Sequence, residues 1–98
     1  MKINKEVNGT KLTLAIDGRL DTITSPELEK EVKESVEGIT ELVFDFNELD
    51  YISSAGLRVL LTAQKIMNGK GEMYIIGCSE DIIGIFEITG FSEILTIK

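Results

Sequence analysis

One short segment constrains the fold of this chain more than any other: residues 50–57, Asp-Tyr-Ile-Ser-Ser-Ala-Gly-Leu, join a strand-like pattern to a helix-like one. Before it, residues 42–46 form a short apolar run that is typical of a strand, and after it leucines recur with helical spacing. Ser53 and Ser54 therefore lie at a strand-to-helix turn, where backbone N–H groups lack partners and the helix dipole is positive. Such a turn can bury a capping serine or hold a phosphate.

The same alternation continues along the chain. An Asn8-Gly9 pair separates two strand-like segments and predicts a hairpin. Strands are expected at residues 2–7, 11–17, 41–46, 73–77 and 94–97, the last at an edge, with a loop over residues 18–23. The N-caps of three helices are expected at Ser25, at Ser53 or Ser54, and at Ser79, and the helices are expected to stop at Gly38, at Gly69 (after about Met67 or Asn68) and at Gly90. The order ββαβαβαβ predicts one α/β domain over residues 1–98, with helices packed on a mixed, mostly parallel sheet of about five strands.

The composition excludes several functional classes. The 98 residues contain no histidine and one cysteine, which rules out a Ser-His-Asp triad, a Cys-His pair, a histidine metal site and an intrachain disulfide. No calcium-loop pattern is present, and we expect neither a metal nor a cofactor. The net charge of −7 argues against nucleic acid and against acidic membrane surfaces, and it favours a partner protein with a basic face.

The chain is expected to be cytoplasmic. Its first residues lack the apolar core of a signal peptide, and no apolar run approaches the roughly 18–20 residues of a membrane span. Cys78 fits a reducing compartment and is expected to pack as a small apolar side chain, because no histidine is present to activate it. The sequence leaves the oligomeric state open between a monomer and a weak dimer.

The serine pair allows two interpretations that are compatible with each other. One serine suffices as an N-cap, worth about 0.5–2 kcal/mol, and this leaves the other hydroxyl free. An exposed hydroxyl at a helix N-terminus is also a favourable acceptor for a phosphoryl group, because the helix stabilises the resulting dianion. Either serine can take either role.

Three aspartates, Asp21, Asp45 and Asp50, lie at or after the ends of expected strands, and in a parallel sheet such ends gather at one edge, where sites are built. For Asp45 and Asp50 we favour turn chemistry, in which aspartate accepts local backbone N–H groups. For Asp21 a turn role and a site role are equally open. Carboxylate catalysis needs a defined cleft with shifted pKa values, for which so small a domain has little room, so we expect no enzyme activity.

Three segments in this order resemble the STAS domain, a family named for sulfate transporters and anti-sigma factor antagonists: Gly18-Arg19-Leu20-Asp21, Ser25-Pro26-Glu27-Leu28 and residues 42–61. The resemblance covers nearly the whole chain. Because the chain stands alone without a membrane segment, it resembles the bacterial antagonist branch of the family rather than the tail of a transporter.

The resemblance implies a function. Such antagonists bind an anti-sigma factor that is also a serine kinase and thereby free a sigma factor. The kinase phosphorylates a serine at the start of the second main helix, which ends the binding, and a PP2C-type phosphatase restores it. Aligned on Gly56-Leu57, the phosphorylated residue falls on Ser54, with Ser53 as the alternative, and a family aspartate falls on Asp21. The partner-binding residues then expected are Asp21, Asp50, Ser53, Ser54, Ala55, Gly56 and Arg58.

Two positions depart from the family pattern. Relatives often carry an aspartate immediately before the target serine, where this chain has Ser53, and often a serine or threonine after it, where this chain has Ala55. The departure leaves open a changed kinase partner or a chain that is no longer phosphorylated. The alternative function is a small-molecule or nucleotide sensor that binds an anion at the N-terminus of the second main helix.

Overall fold

A five-stranded mixed β-sheet is the frame on which the helices are arranged. The computed structural model describes every residue from Met1 to Lys98. The strands are β1 (Lys2–Asn8), β2 (Lys11–Leu20), β3 (Glu41–Asp45), β4 (Leu49–Ile52) and β5 (Glu72–Ile76). The α-helices are α1 (Ser25–Ser35), α2 (Ser54–Met67) and α3 (Glu80–Thr89), and a 3-10 turn follows at Phe91–Glu93.

Strand β2 organises the sheet, because it pairs with three other strands. It is antiparallel to β1 across a hairpin turn at Gly9, whose φ of 64° glycine adopts without strain. It is parallel to β3 along its first half and to β4 near its end, and β3 is in turn parallel to β5. The expected α/β class, with a mixed and mostly parallel sheet of five strands, is confirmed.

Two strands differ from the sequence prediction. Residues 49–52 form β4, where the sequence predicts none. They pair with the end of β2, which continues to Leu20 and so takes up the first half of the expected loop. The last segment, residues 94–97, forms no strand, because the 3-10 turn leaves Ile94 in a helical conformation and only Ile97 pairs, as one parallel bridge to Ile75. The element order is therefore ββαββαβα.

The ends of α2 and α3 follow the capping chemistry that the sequence predicts. Ser53 is the N-cap of α2 and Ser79 is the N-cap of α3, each accepting a backbone N–H of the first turn. Helix α3 ends at Gly90, which has the left-handed conformation typical of a C-cap. Helix α2 ends at Met67 with Asn68 as its C-cap, as predicted, and Gly69 follows with a positive φ of 84°.

The prediction for α1 is corrected at both ends. Its N-cap is Thr24 and not Ser25, because the carboxylate of Asp21 supplies the acceptor for the N–H groups that precede the helix, and Ser25 is the first helical residue. The helix ends at Ser35, before the chain reaches Gly38.

One hydrophobic core joins all three helices to one face of the sheet. Alternate residues of the inner strands contact the apolar faces of the helices; they include Leu12, Leu14, Leu42, Phe44, Met73 and Ile75 from the sheet and Leu28, Val32, Leu57, Leu60, Ile82 and Phe86 from the helices. Helix α2 is the most deeply packed, with six of its 14 residues buried. None of the helices combines the length and the apolar character needed to cross a membrane.

Helix α2 approaches the ends of β2 and β4 at a glycine. A Cβ atom added to Gly56 would lie 2.8 Å from side-chain carbons of both Ile52 and Leu20, and 3.0 Å from the Leu20 carbonyl oxygen. Real Cβ atoms essentially never approach other atoms to less than 3.0 Å, so glycine is what permits the first turn of α2 to pack here.

We expect Gly56→Ala to lower the free energy of unfolding by about 1–3 kcal/mol, because the new methyl group overpacks the junction. Urea denaturation measures the effect. Gly84→Ala is the matched control, since Gly84 also lies within a helix but an added Cβ meets nothing within 4 Å. The control should be neutral or stabilising by up to about 1 kcal/mol. Equal effects of the two substitutions would contradict the steric argument.

Candidate functional site

The carboxyl ends of β2 and β4 place Asp21 and the serine pair at the same edge of the sheet. Leu20 and Ile52 are paired in register, and they immediately precede Asp21 and Ser53. The pairing continues one step further, because the backbone N–H of Ser53 donates to the carbonyl oxygen of Leu20 at 2.9 Å. The two loops are therefore fixed relative to each other by backbone hydrogen bonds.

The two serines have different environments. Ser53 has an extended backbone (φ −97°, ψ 176°), is half-buried, and accepts the N–H of Gly56 on its Oγ at 3.5 Å. Ser54 is the first residue of α2 and is exposed, and its hydroxyl makes no hydrogen bond within the protein. Capping is thus the role of Ser53, and the free hydroxyl belongs to Ser54.

Asp21 organises the turn between β2 and α1. Its Oδ1 accepts the backbone N–H groups of Ile23 and Thr24, both at 3.0 Å, and the Thr24 hydroxyl at 3.1 Å. The hydrogen bond from the Thr24 N–H is the main cause that holds the pKa of Asp21 below its ordinary value; the Thr24 hydroxyl, the Ile23 N–H and the Arg19 charge act in the same direction against partial desolvation. The Asp21 carboxylate therefore stabilises the turn. Its other oxygen, Oδ2, lies 3.9 Å from Nε of Arg19.

The surface around this turn contains three residues to which the sequence alone assigned no role in the site: Ile23, Arg19 and Tyr51. Ile23 is 88% exposed at the tip of the turn, although it is a large apolar residue. The Arg19 guanidinium lies 4.3 Å from the centre of the Tyr51 ring, so the arginine contacts both this ring and the Asp21 carboxylate. The signal in the sequence is an isoleucine between two threonines in an otherwise polar loop, and an aromatic residue two positions before the serines.

The other two aspartates are placed differently. Asp45 accepts both the backbone N–H of Asn47, at 3.0 Å, and its side-chain amide, at 2.7 Å, which is the predicted turn chemistry. Asp50 is exposed at an irregularity in the β2–β4 pairing, and its side chain makes no hydrogen bond or ion pair, so no turn role is found for it. The structure therefore brings Asp21, and not Asp45, to the serine loop.

The remaining residues expected in the site lie on the first turns of α2. Arg58 is exposed and Ala55 is half-buried. Both line a shallow depression of about 220 Å³ between the starts of α1 and α2, together with Thr22, Ser25, Pro26, Glu29 and Val59. Gly56 is buried, so it acts by setting the position of the helix rather than by presenting a side chain.

Two further observations bear on chemistry. Burial raises the pKa of Cys78 to about 11, so its thiol is protonated near neutral pH and is a poor nucleophile. No group of three or more cysteine, aspartate or glutamate side chains is arranged to hold a metal ion. The arrangement as a whole offers an exposed hydroxyl at the start of α2, beside the Asp21 turn and two arginines, Arg19 and Arg58.

Comparison with known sequences agrees with this architecture. A family model described as the STAS domain matches residues 2–98. An anti-sigma-B factor antagonist of Listeria monocytogenes is 34% identical over 97 residues, a region that covers 96% of this chain and 84% of that protein.

Comparison with solved structures gives the same fold. The anti-sigma factor antagonist SpoIIAA in its unphosphorylated form superposes with a TM-score of 0.79 at 15% identity, over 99% of this chain and 87% of that one. The Bacillus cell fate determinant SpoIIAA in its phosphorylated form gives 0.77 at 15% identity, over 99% and 91% of the two chains. At this identity the likeness concerns the fold alone.

We expect Ser53→Ala to lower the free energy of unfolding by about 0.5–1 kcal/mol, in the lower part of the range for N-caps, because the 3.5 Å hydrogen bond is long. Ser54→Ala should stay within about 0.5 kcal/mol of the parent protein, because the removed hydroxyl makes no contact of this kind. Urea denaturation of both variants distinguishes the roles. A larger loss for Ser54→Ala would reverse the assignment.

The lowered pKa of Asp21 predicts a pH dependence of stability. A carboxyl group with a depressed folded-state pKa stabilises the protein above its unfolded value of about 3.9, and this contribution disappears as the pH falls through the folded-state pKa. Asp21→Asn should therefore be less stable than the parent protein at pH 7, and the difference should narrow below about pH 4. Urea denaturation at pH 7 and pH 3 measures it, with Asp50→Asn as the control that should change stability little at either pH. A difference that stays constant with pH would refute the charge-based account.

Proposed function

This chain belongs to the STAS domain family, and we propose that it is an anti-sigma factor antagonist whose binding is controlled by phosphorylation of Ser54. In the unphosphorylated state it binds an anti-sigma factor that is a serine kinase, and a sigma factor is released. The kinase modifies Ser54 and the complex separates. A PP2C-type phosphatase removes the phosphate and restores binding.

The observation that carries this proposal is the free hydroxyl of Ser54. A kinase needs a serine whose hydroxyl is exposed. The side chain must also be able to enter the active site of the kinase without breaking a hydrogen bond within its own protein. Ser54 meets this condition, whereas the Ser53 hydroxyl is half-buried and used as the cap. Relatives often carry an aspartate at the position before the target serine, and aspartate and serine are both favourable N-cap residues. In this chain the hydroxyl of Ser53 is the cap at that position.

The fold can accept the phosphate where it is proposed. A phosphoserine adds about −1.5 to −2 charges at pH 7, and the N-terminal end of a helix stabilises such an anion by roughly 0.3–2 kcal/mol. The similarity of this chain to SpoIIAA changes little between the unphosphorylated and phosphorylated forms of that protein, with TM-scores of 0.79 and 0.77. Both forms of that protein share the overall fold of this chain, and we expect this fold to be kept when Ser54 carries a phosphate.

The phosphate is then expected to act mainly by weakening the binding of the partner. A protein docked over the start of α2 would meet a dianion in place of a neutral hydroxyl. Each 1.4 kcal/mol of like-charge or desolvation cost weakens binding tenfold, so a cost of a few kcal/mol removes most of the complex. Asp21, Asp50, Ala55 and Arg58 are the proposed neighbours in that interface, and the exposed Ile23 extends it.

The test is to incubate the protein with ATP and the serine kinase–type anti-sigma factor encoded in the same genome, and to measure intact mass followed by peptide mapping. We expect one phosphate on Ser54, none on Ser54→Ala, and unchanged incorporation on Ser53→Ala. Ser54→Asp should weaken binding to the kinase at least about tenfold.

Two outcomes would count against the proposal. A stoichiometric phosphate on Ser53, Ser35 or Ser79 would overturn the site. No added mass, together with a melting temperature that rises with nucleotide concentration, would favour the alternative function of a nucleotide sensor.

A further inference from the structure

Arg58 is an uncommitted cation one helical turn beyond Ser54. The two residues are separated by four positions in α2, a spacing that places their side chains on the same face of the helix, and both are exposed. The Arg58 guanidinium makes no ion pair and no hydrogen bond with the rest of the chain. Because Cα–Cβ bonds tilt toward the N-terminus of a helix, the Arg58 side chain starts in the direction of the turn that contains Ser54, and the long guanidinium arm can reach that turn.

Of the other charged groups around this helix start, Arg19 and Glu29 are already paired, whereas Asp50 is not. Arg19 contacts the Asp21 carboxylate at 3.9 Å and the Tyr51 ring at 4.3 Å. Glu29, which faces Arg58 across the depression, lies 3.9 Å from Lys33 on its own helix. Asp50 is exposed at the preceding strand and has no ion pair. Arg58 is therefore the cation that is free to form an ion pair with a new negative charge on Ser54.

We propose that Arg58 is the intramolecular counter-ion of the phosphate on Ser54, and that phosphorylation withdraws this arginine from the surface offered to the partner. The proposal rests on the modification of Ser54 proposed above. A helical pair with the anion four residues before the cation has the favourable orientation with respect to the helix dipole. A guanidinium also matches a phosphate with two parallel hydrogen bonds, which a lysine does not.

The pairing gives the switch two parts. Before phosphorylation the Ser54–Arg58 face presents one free positive charge; afterwards it carries a net charge of about −0.5 to −1, with the guanidinium held by the phosphate. A partner that uses Arg58 as a hydrogen-bond donor loses that contact and meets an anion in the same step. Arg58 is thus a positioning residue for the phosphate and not only a contact for the partner.

The experiment installs phosphoserine at position 54 by genetic encoding, so that no kinase is needed, and follows the phosphate by phosphorus NMR from pH 4 to pH 8. We expect Arg58→Gln to raise the second pKa of the phosphate by about 0.2–0.4 relative to the parent chain, as an i,i+4 ion pair predicts. Arg58→Lys should raise it by less, because the charge is retained.

Lys65→Gln is the matched control. It removes one positive charge from the same face of α2, but about 16 Å from Ser54 along the helix and beyond the Debye length of about 8–10 Å. It should leave the pKa of the phosphate unchanged. An unchanged pKa in Arg58→Gln, or an equal rise in both glutamine variants, would overturn the proposal.

The two proposals fail in different experiments. If the kinase phosphorylates Ser54 and the pKa does not respond to Arg58→Gln, the proposed function stands and the counter-ion role is wrong. If the pKa responds as expected but no kinase modifies Ser54, the pairing is real in the installed phosphoserine and the proposed function is wrong.

Discussion

The close approach of α2 to the ends of β2 and β4 is the contact on which the rest of this site depends. Gly56 lets the first turn of the helix pack on Leu20 and Ile52, and the Ser53 N–H extends the strand pairing to the Leu20 carbonyl. Because Leu20 and Ser53 are fixed by backbone bonds, the residues that follow them are fixed as well. The relation between the Asp21 turn and the serine pair is therefore a property of the sheet and is not left to flexible loops.

Much of the fold follows from signals that are local in the sequence. The Asn8-Gly9 turn, the capping serines of α2 and α3, and Gly90 at the end of α3 each act within a few residues, and each is found where the sequence predicts it. The errors arise where a partner distant in sequence decides the outcome. A four-residue segment such as β4 becomes a strand only because β2 is long enough to pair with it. Residues 94–97 have the composition of a strand, but after the 3-10 turn the chain makes only one isolated bridge to β5, between Ile97 and Ile75.

The sequence predicts where the site lies better than it predicts the role of each residue in it. The strand-to-helix pattern locates Ser53 and Ser54, but two identical side chains carry no sequence signal for which one caps the helix. The geometry separates them, since only Ser53 has the extended backbone that directs its Oγ to the Gly56 N–H. In the same way, the sequence allows Asp21 to be a turn residue or an interface residue. Its hydrogen bonds from the N–H groups of Ile23 and Thr24 establish the turn role.

A switch built in this way can act on a partner without disturbing the domain. The Ser54 hydroxyl makes no internal hydrogen bond, so its modification breaks none, and the cap of the helix is supplied by a different residue, Ser53. The Asp21 carboxylate is already committed to its turn and to Arg19, which limits how far the turn can respond to a new charge. In the proposed switch, a phosphate on Ser54 therefore acts at the surface, where it competes with an incoming partner for Arg58.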